Sequence, residues 1–139
     1  LHDVGHLLTF ENSKYKLMGD YGVMNHENMG SEYLRKIGFT ENVCQFVENH
    51  IMTKRYLITK NDLYYNNLSD ASKKTFEYQG GKLSSSELNN FENGELFTLH
   101  LKIREWDDMA KSTDQQLLYR IETMDAPKYY HKLYIENIH

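Results

Sequence analysis

Cysteine, proline and unbroken apolar sequence are all scarce in this chain of 139 residues. Its single cysteine, Cys44, excludes an internal disulfide framework and suits a reducing compartment. The expectation is a cytoplasmic chain in which this thiol is a small buried residue of a helix. One proline, Pro127, few alternating runs and apolar residues recurring at spacings of three and four predict mostly helix. No apolar run approaches the roughly 20 residues that cross a bilayer, and the opening residues lack the charged-then-apolar pattern of a secretion signal, so no membrane partner is expected. A positive face is missing too. Sixteen Lys and Arg are interspersed with 20 Asp and Glu, for a net charge of −4, which argues against nucleic acid as a main partner.

The length fits one domain over residues 1–139, without repeat or linker. "LHDVGHLLTF" carries Leu1, Val4, Leu7 and Leu8 as a stripe with no cap before it, and reads as the last turns of a helix whose earlier turns are absent. "ENSKYKLMGDYGVMN" reads as a loop leading to a helix around "HENMGSEYLRKIGF", closed by Gly38. Thr40 is expected to cap the strongest helix, "TENVCQFVENHIMTKRYLITK", where Val43, Phe46, Val47, His50, Ile51, Lys54 and Leu57 or Ile58 share one face. Asn61 and Asp62 end it. Short capped helices follow, one opened by Ser69 and ended by Gly80 and Gly81, the next over "SSSELNNFEN". "ELFTLHLKIREWDDMAK" predicts a long helix with Leu96, Leu99, Ile103, Trp106 and Ala110 on its apolar side, and a last amphipathic helix is expected over 125–138.

Seven histidines supply the candidate chemistry. His2 and His6 stand one helical turn apart with Asp3 beside them, so an imidazole and a carboxylate able to bridge two cations can converge on one point. The bland alternative is a surface acid beside a satisfied histidine. His26 opens its helix, where a histidine is commonly solvent-facing. His50 lies on an apolar face and needs a partner, because an unpaired buried imidazole costs about 1–3 kcal/mol. Lys54, one turn further on, either points inward toward an anion or snorkels to water. Arg104 and Asp107 are three apart, an ion pair or, functionally, an oxyanion fork beside a metal ligand. Asp108 competes for the ligand role, and helical phase does not decide between the two.

In order, His2-Asp3, His26, His50 and Asp107 resemble the HD superfamily, whose helical domains hold one or two metals through an H…HD…H…H…D set. The words "LHDVGH", "NHENMGSEYLRKIGF", "NHIMTKRYL", "LSDASKKTFEYQGG" and "LKIREWDDMAK", over about residues 1–111, resemble one branch. That branch is the mixed-valence diiron oxygenases related to the phosphonate-cleaving (2-amino-1-hydroxyethylphosphonate) oxygenase. The resemblance implies an all-α HD-domain bundle lacking its first helices, where the family has a further His ligand. It implies two iron ions, Fe(II) and Fe(III), on His2, Asp3, His26, His50 and Asp107, with Asp3 bridging. It assigns His6, Lys54, Ser72, Thr75 and Arg104 to an organophosphonate substrate, makes Asp3 and Lys54 catalytic, and places Gln79 at the pocket edge. The implied activity is oxygen-dependent cleavage of the carbon–phosphorus bond of a 1-hydroxy-organophosphonate, releasing phosphate. Two alternatives stay open: an HD phosphohydrolase using another divalent metal on a phosphate ester, and a catalytically silent HD binding domain.

Overall fold

The computed structural model describes residues 1–9 and 16–111; the helix expected over 125–138 lies outside them. As predicted, the architecture is all-α. The chain opens with a 3-10 helix, Val4–Thr9, and continues through α1 (His26–Lys36), α2 (Glu41–Lys60), α3 (Asp62–Asn66), α4 (Asp70–Tyr78), α5 (Ser85–Glu92) and α6 (Phe97–Ala110). Among the described residues there is no sheet, only an isolated antiparallel bridge between Leu17 and Val23 that ties the loop before α1. The opening is therefore a correction. The Leu1, Val4, Leu7 and Leu8 spacing was expected to be α-helical, but the segment is a tight 3-10 turn, with His6 N–H donating to the Asp3 carbonyl at 3.0 Å.

The helices α1 and α2 pack against each other, sealed by Leu34, Cys44 and Val47, with Val4 of the 3-10 helix against them. Cys44 is fully buried, as expected of a small apolar thiol. Gly5 makes this approach possible: a Cβ there would stand 1.8 Å from the His26 carbonyl oxygen, so any side chain would push the 3-10 helix off α1. Arg35 adds a rim contact, reaching Glu41 and Glu48 at 2.7 Å each; such exposed pairs contribute only about 0–1 kcal/mol.

The predicted inward face of α2 is largely observed, with Val47, Ile51, Lys54 and Ile58 buried. Ile58, not Leu57, occupies the last core position. Thr40 does precede α2, but its side chain makes no capping bond and its Oγ1 is buried without a partner among the described residues. The later caps form as their sequences require: Asn61 accepts from Leu63 N and Tyr64 N, Ser69 from Ser72 N, and Ser84 with Glu87 completes a capping box. Arg55 then binds α2 to the turn before α5, donating to the carbonyls of Gly81 at 2.8 Å and Gly80 at 3.3 Å.

In α6 the phase differs from expectation. Its buried residues are His100 and Arg104, while Ala110, placed on the apolar side by periodicity, is exposed. The inward positions are set by tertiary partners that an apolar-moment reading cannot see: His100 packs against the rings of Phe46 and Phe91, and Arg104 meets the Tyr64 hydroxyl.

Candidate metal centre and anion site

The 3-10 helix, the start of α1 and the middle of α2 bring His2, Asp3, His6, His26 and His50 together. Asp3 lies at the centre. Its Oδ2 is 3.0 Å from His2 Nε2, and its Oδ1 is 3.5 Å from His26 Nε2 and 3.8 Å from His50 Nε2. Asp107 approaches from α6, with Oδ1 3.8 Å from His2 Nε2. The five residues expected as ligands thus form one group, in which each Asp3 oxygen faces a different set of imidazoles. The Asp3 side chain is 58% exposed while that of His26 is 4% exposed, so the group is floored by protein and open on one side. A hydrogen bond from His2 above all holds the Asp3 carboxyl far below the usual carboxylate range, leaving it ionised.

The backbone sets which nitrogens are available. His26 Nδ1 donates to the Val23 carbonyl at 3.1 Å, and His50 Nδ1 to the Val47 carbonyl at 2.6 Å. A carbonyl can only accept, so both neutral rings carry their proton on Nδ1 and present a bare lone pair at Nε2. Those two Nε2 atoms face each other at 3.1 Å. Two lone pairs at that distance repel unless a cation or a shared proton lies between them. Burial, with His26 and His2 nearby, pushes the His50 imidazole down to about 3, so it does not supply a proton at neutral pH. Donor atoms about 3 Å apart are what two ligands at about 2.1 Å from a common ion would show at near-right angles, so the donor set fits a bound cation.

His6 differs. Its Nδ1 accepts from Val23 N–H at 3.1 Å, its ring stacks on His26 at 3.9 Å, and its Nε2 lies 4.0 Å from Asp3 Oδ1. Asp3, His6 and His26 could geometrically hold an ion. The accepted bond, however, leaves the neutral His6 ring with its proton on Nε2, a donor suited to an oxygen. Gly22, at φ 112°, makes room for this ring: a Cβ there would be 2.7 Å from His6 Cε1. Asn25, left-handed at φ 63°, turns the chain into α1 so that His26 can reach back to Val23.

The cations form a second group. Lys54 is buried and donates from Nζ to Thr75 Oγ1 at 3.1 Å, while Thr75 donates to the Ser72 carbonyl at 3.1 Å. Burial first, and Arg104 second, lower the Lys54 ammonium to about 8. Arg104 is buried as well. It is held by Tyr64 and Asp108, with Nη2 3.0 Å from Asp108 Oδ1. The two neighbouring acids differ in their partners: Asp107 has Oδ1 toward His2 and Oδ2 2.6 Å from Lys111 Nζ, whereas Asp108 faces Arg104 and Tyr64. A cavity of about 570 Å3 opens beside the cluster, lined at its polar end by His2, His50, Arg104 and Asp107 and walled by Phe46 and Ile103. Lys54, Ser72, Thr75 and Gln79 are not among its lining; Gln79 Oε1 is buried without a partner among the described residues. Tyr64 and the side chain of His100, edge-on to Phe46 at 5.1 Å, are site neighbours that the sequence reading did not single out. For Tyr64 no local signal exists, since its partner is 44 residues away.

No family model matches the chain. It is similar to an uncharacterised protein of Acanthamoeba polyphaga mimivirus, 40% identical over 136 residues, covering 98% of this chain and 58% of the viral protein. It is similar to the hydroxymethylphosphonate dioxygenase of Gimesia maris, 35% identical over 113 residues, covering 80% of this chain and 54% of that enzyme. It is also similar to the glycine-betaine-forming 1-hydroxy-2-(trimethylamino)ethylphosphonate dioxygenase of Leisingera caerulea, 31% identical over 131 residues, covering 94% of this chain and 61% of that enzyme. The chain therefore spans between 54% and 61% of the length of these relatives.

Proposed function

We propose that the chain carries the site of an HD-type diiron oxygenase that cleaves the carbon–phosphorus bond of a 1-hydroxy-organophosphonate. The observation that carries this reading is the approach of His26 Nε2 and His50 Nε2 to 3.1 Å beside Asp3 Oδ1, a spacing that a cation bound between them would fit. Similarity to two phosphonate dioxygenases selects the chemistry. The name of the second relative states its product, glycine betaine, so there the carbon that bears hydroxyl and phosphorus becomes a carboxylate. Balanced for a 1-hydroxyphosphonate dianion, one dioxygen gives a carboxylate, hydrogen phosphate and a proton. The carbon is oxidised, dioxygen is reduced, and no outside reductant is consumed.

In this reading His2, Asp3, His26, His50 and Asp107 would hold the irons, which would supply dioxygen activation and the redox step. The rest is the work of the chain. Arg104 grips the phosphonate oxygens with a planar fork, and Lys54, steadied by Thr75, adds the second positive charge that a dianion requires. His6, with its proton on Nε2 and its ring locked by Val23, is a donor for a substrate oxygen. Ser72 positions Thr75 through its carbonyl. Burial strengthens these charges because little water screens them.

The test is turnover of hydroxymethylphosphonate by the iron-loaded chain, following phosphate and dissolved oxygen together. Equimolar phosphate release and oxygen uptake, with no release under anaerobic conditions, is the expected result. Phosphate release from simple phosphate esters without oxygen would replace this reading with a metal-dependent phosphohydrolase. A chain that takes up no metal and turns over neither substrate would point to a silent binding domain.

A further inference from the structure

The hydrogen bonds that hold Arg104 lie along one edge of its guanidinium. Its Nε donates to the Tyr64 hydroxyl at 2.8 Å and lies 3.2 Å from Asp108 Oδ2, and its Nη2 lies 3.0 Å from Asp108 Oδ1. Tyr64 in turn donates to Asp108 Oδ2 at 2.6 Å, closing a three-residue ring between α3 and α6. An arginine has five N–H donors. Asp108 and Tyr64 take the edge formed by Nε and one Nη2 proton, which leaves Nη1 and the other Nη2 proton on the opposite edge. Nη1 lies 3.8 Å from Asp107 Oδ2, at the polar end of the cavity. An i,i+4 Arg–Asp pair on its own is an ordinary helix feature. Here Arg104 is buried, and the pair is crossed by a tyrosine from another helix, whose phenol is pushed up in pKa chiefly by burial and so stays a proton donor.

We propose that Tyr64 and Asp108 are positioning residues that fix the direction of Arg104, so that its free edge is presented to an oxyanion in the cavity beside the histidine–carboxylate cluster. The role rests on Arg104 binding the anionic group, as proposed above. Tyr64 keeps Asp108 from rotating away, since without the phenol one carboxylate oxygen loses its donor from α3.

The experiment is a double-mutant cycle on the iron-loaded chain, kept anaerobic, with inorganic phosphate as the probe and calorimetry as the readout. Tyr64→Phe keeps the ring and removes only the hydroxyl. Its expected effect is about tenfold weaker phosphate binding with iron content and melting temperature close to the parent, and no further weakening when it is made in Arg104→Ala. Asp108→Asn, which keeps shape and loses charge, is expected to behave in the same way and provides a second variant should the first fold poorly. Weakening by Tyr64→Phe that is equal with and without Arg104, or no weakening at all, overturns the positioning role while leaving the anion site in place. If Arg104→Ala alone leaves phosphate affinity unchanged, the underlying anion-site reading falls, and the positioning role falls with it.

Discussion

The two halves of the site are built by different means. In the histidine–carboxylate half, backbone carbonyls of Val23 and Val47 fix the rings of His26 and His50, and the Val23 N–H fixes His6. In the cationic half, side chains do the fixing: Thr75 for Lys54, and Tyr64 with Asp108 for Arg104. A ring oriented by main chain keeps its lone pair aimed as long as the helix persists. A cation oriented by a hydroxyl or carboxylate can be re-aimed by a single substitution. The first half suits a metal, whose bond lengths tolerate little error, and the second suits a guest whose identity can change.

That contrast can be broken most severely from the metal side. His50→Ala is expected to lower turnover of hydroxymethylphosphonate and retained iron about a hundredfold, with helicity preserved; iron analysis beside a circular dichroism spectrum checks both. Lys54→Met is expected to act on the other half alone, retaining iron while raising KM by roughly 10- to 100-fold. In the parent, sulfate is a useful probe because its charge is constant above acid pH. With the Lys54 ammonium lowered to about 8, sulfate affinity should hold up to about that pH and fall above it, and in Lys54→Met this step should vanish.

A smaller effect separates stability from function. Burial lowers His100 to about 4, whereas the unfolded chain takes up the same proton near 6.5. The unfolded state binds more protons between those values, so stability is fully present above about 6.5 and declines as pH falls toward 4. At pH 5 the loss from this residue is on the order of 2 kcal/mol. His100→Phe, which keeps an aromatic ring against Phe46, should flatten the fall in melting temperature between pH 7 and 5 without changing iron content. The smallest expected change lies far from both halves: Ser69→Ala removes the α4 cap, costs about 1 kcal/mol, and should leave KM within about twofold.

How much of this was legible in the sequence follows the same division. The α2 face carrying Val47, Ile51, Lys54 and Ile58 was readable because helical period and apolar content agree there. The caps at Ser69 and Ser84 were readable because their chemistry is local. The phase of α6 was not: its inward residues, His100 and Arg104, are polar, so periodicity selected Ala110 instead. The adjacent pair Asp107 and Asp108 could not be told apart locally, because the contacts that separate them come from His2 at the start of the chain and Tyr64 of α3. The 3-10 form of Val4–Thr9 was hidden because its spacing of apolar residues also fits an α-helix over so short a stretch. Tyr64 was silent, since a contact made 40 residues away with Arg104 leaves no local pattern.

The central claim is that Asp3 joins two sets of imidazoles around a pair of irons. It is tested most directly by anaerobic Fe(II) titration against a competing chelator, comparing the parent with Asp3→Asn, which keeps the shape of the side chain and removes its charge. Two irons per parent chain and loss of both in Asp3→Asn is the predicted result. Equal iron binding by the two proteins, or none by the parent, would contradict it.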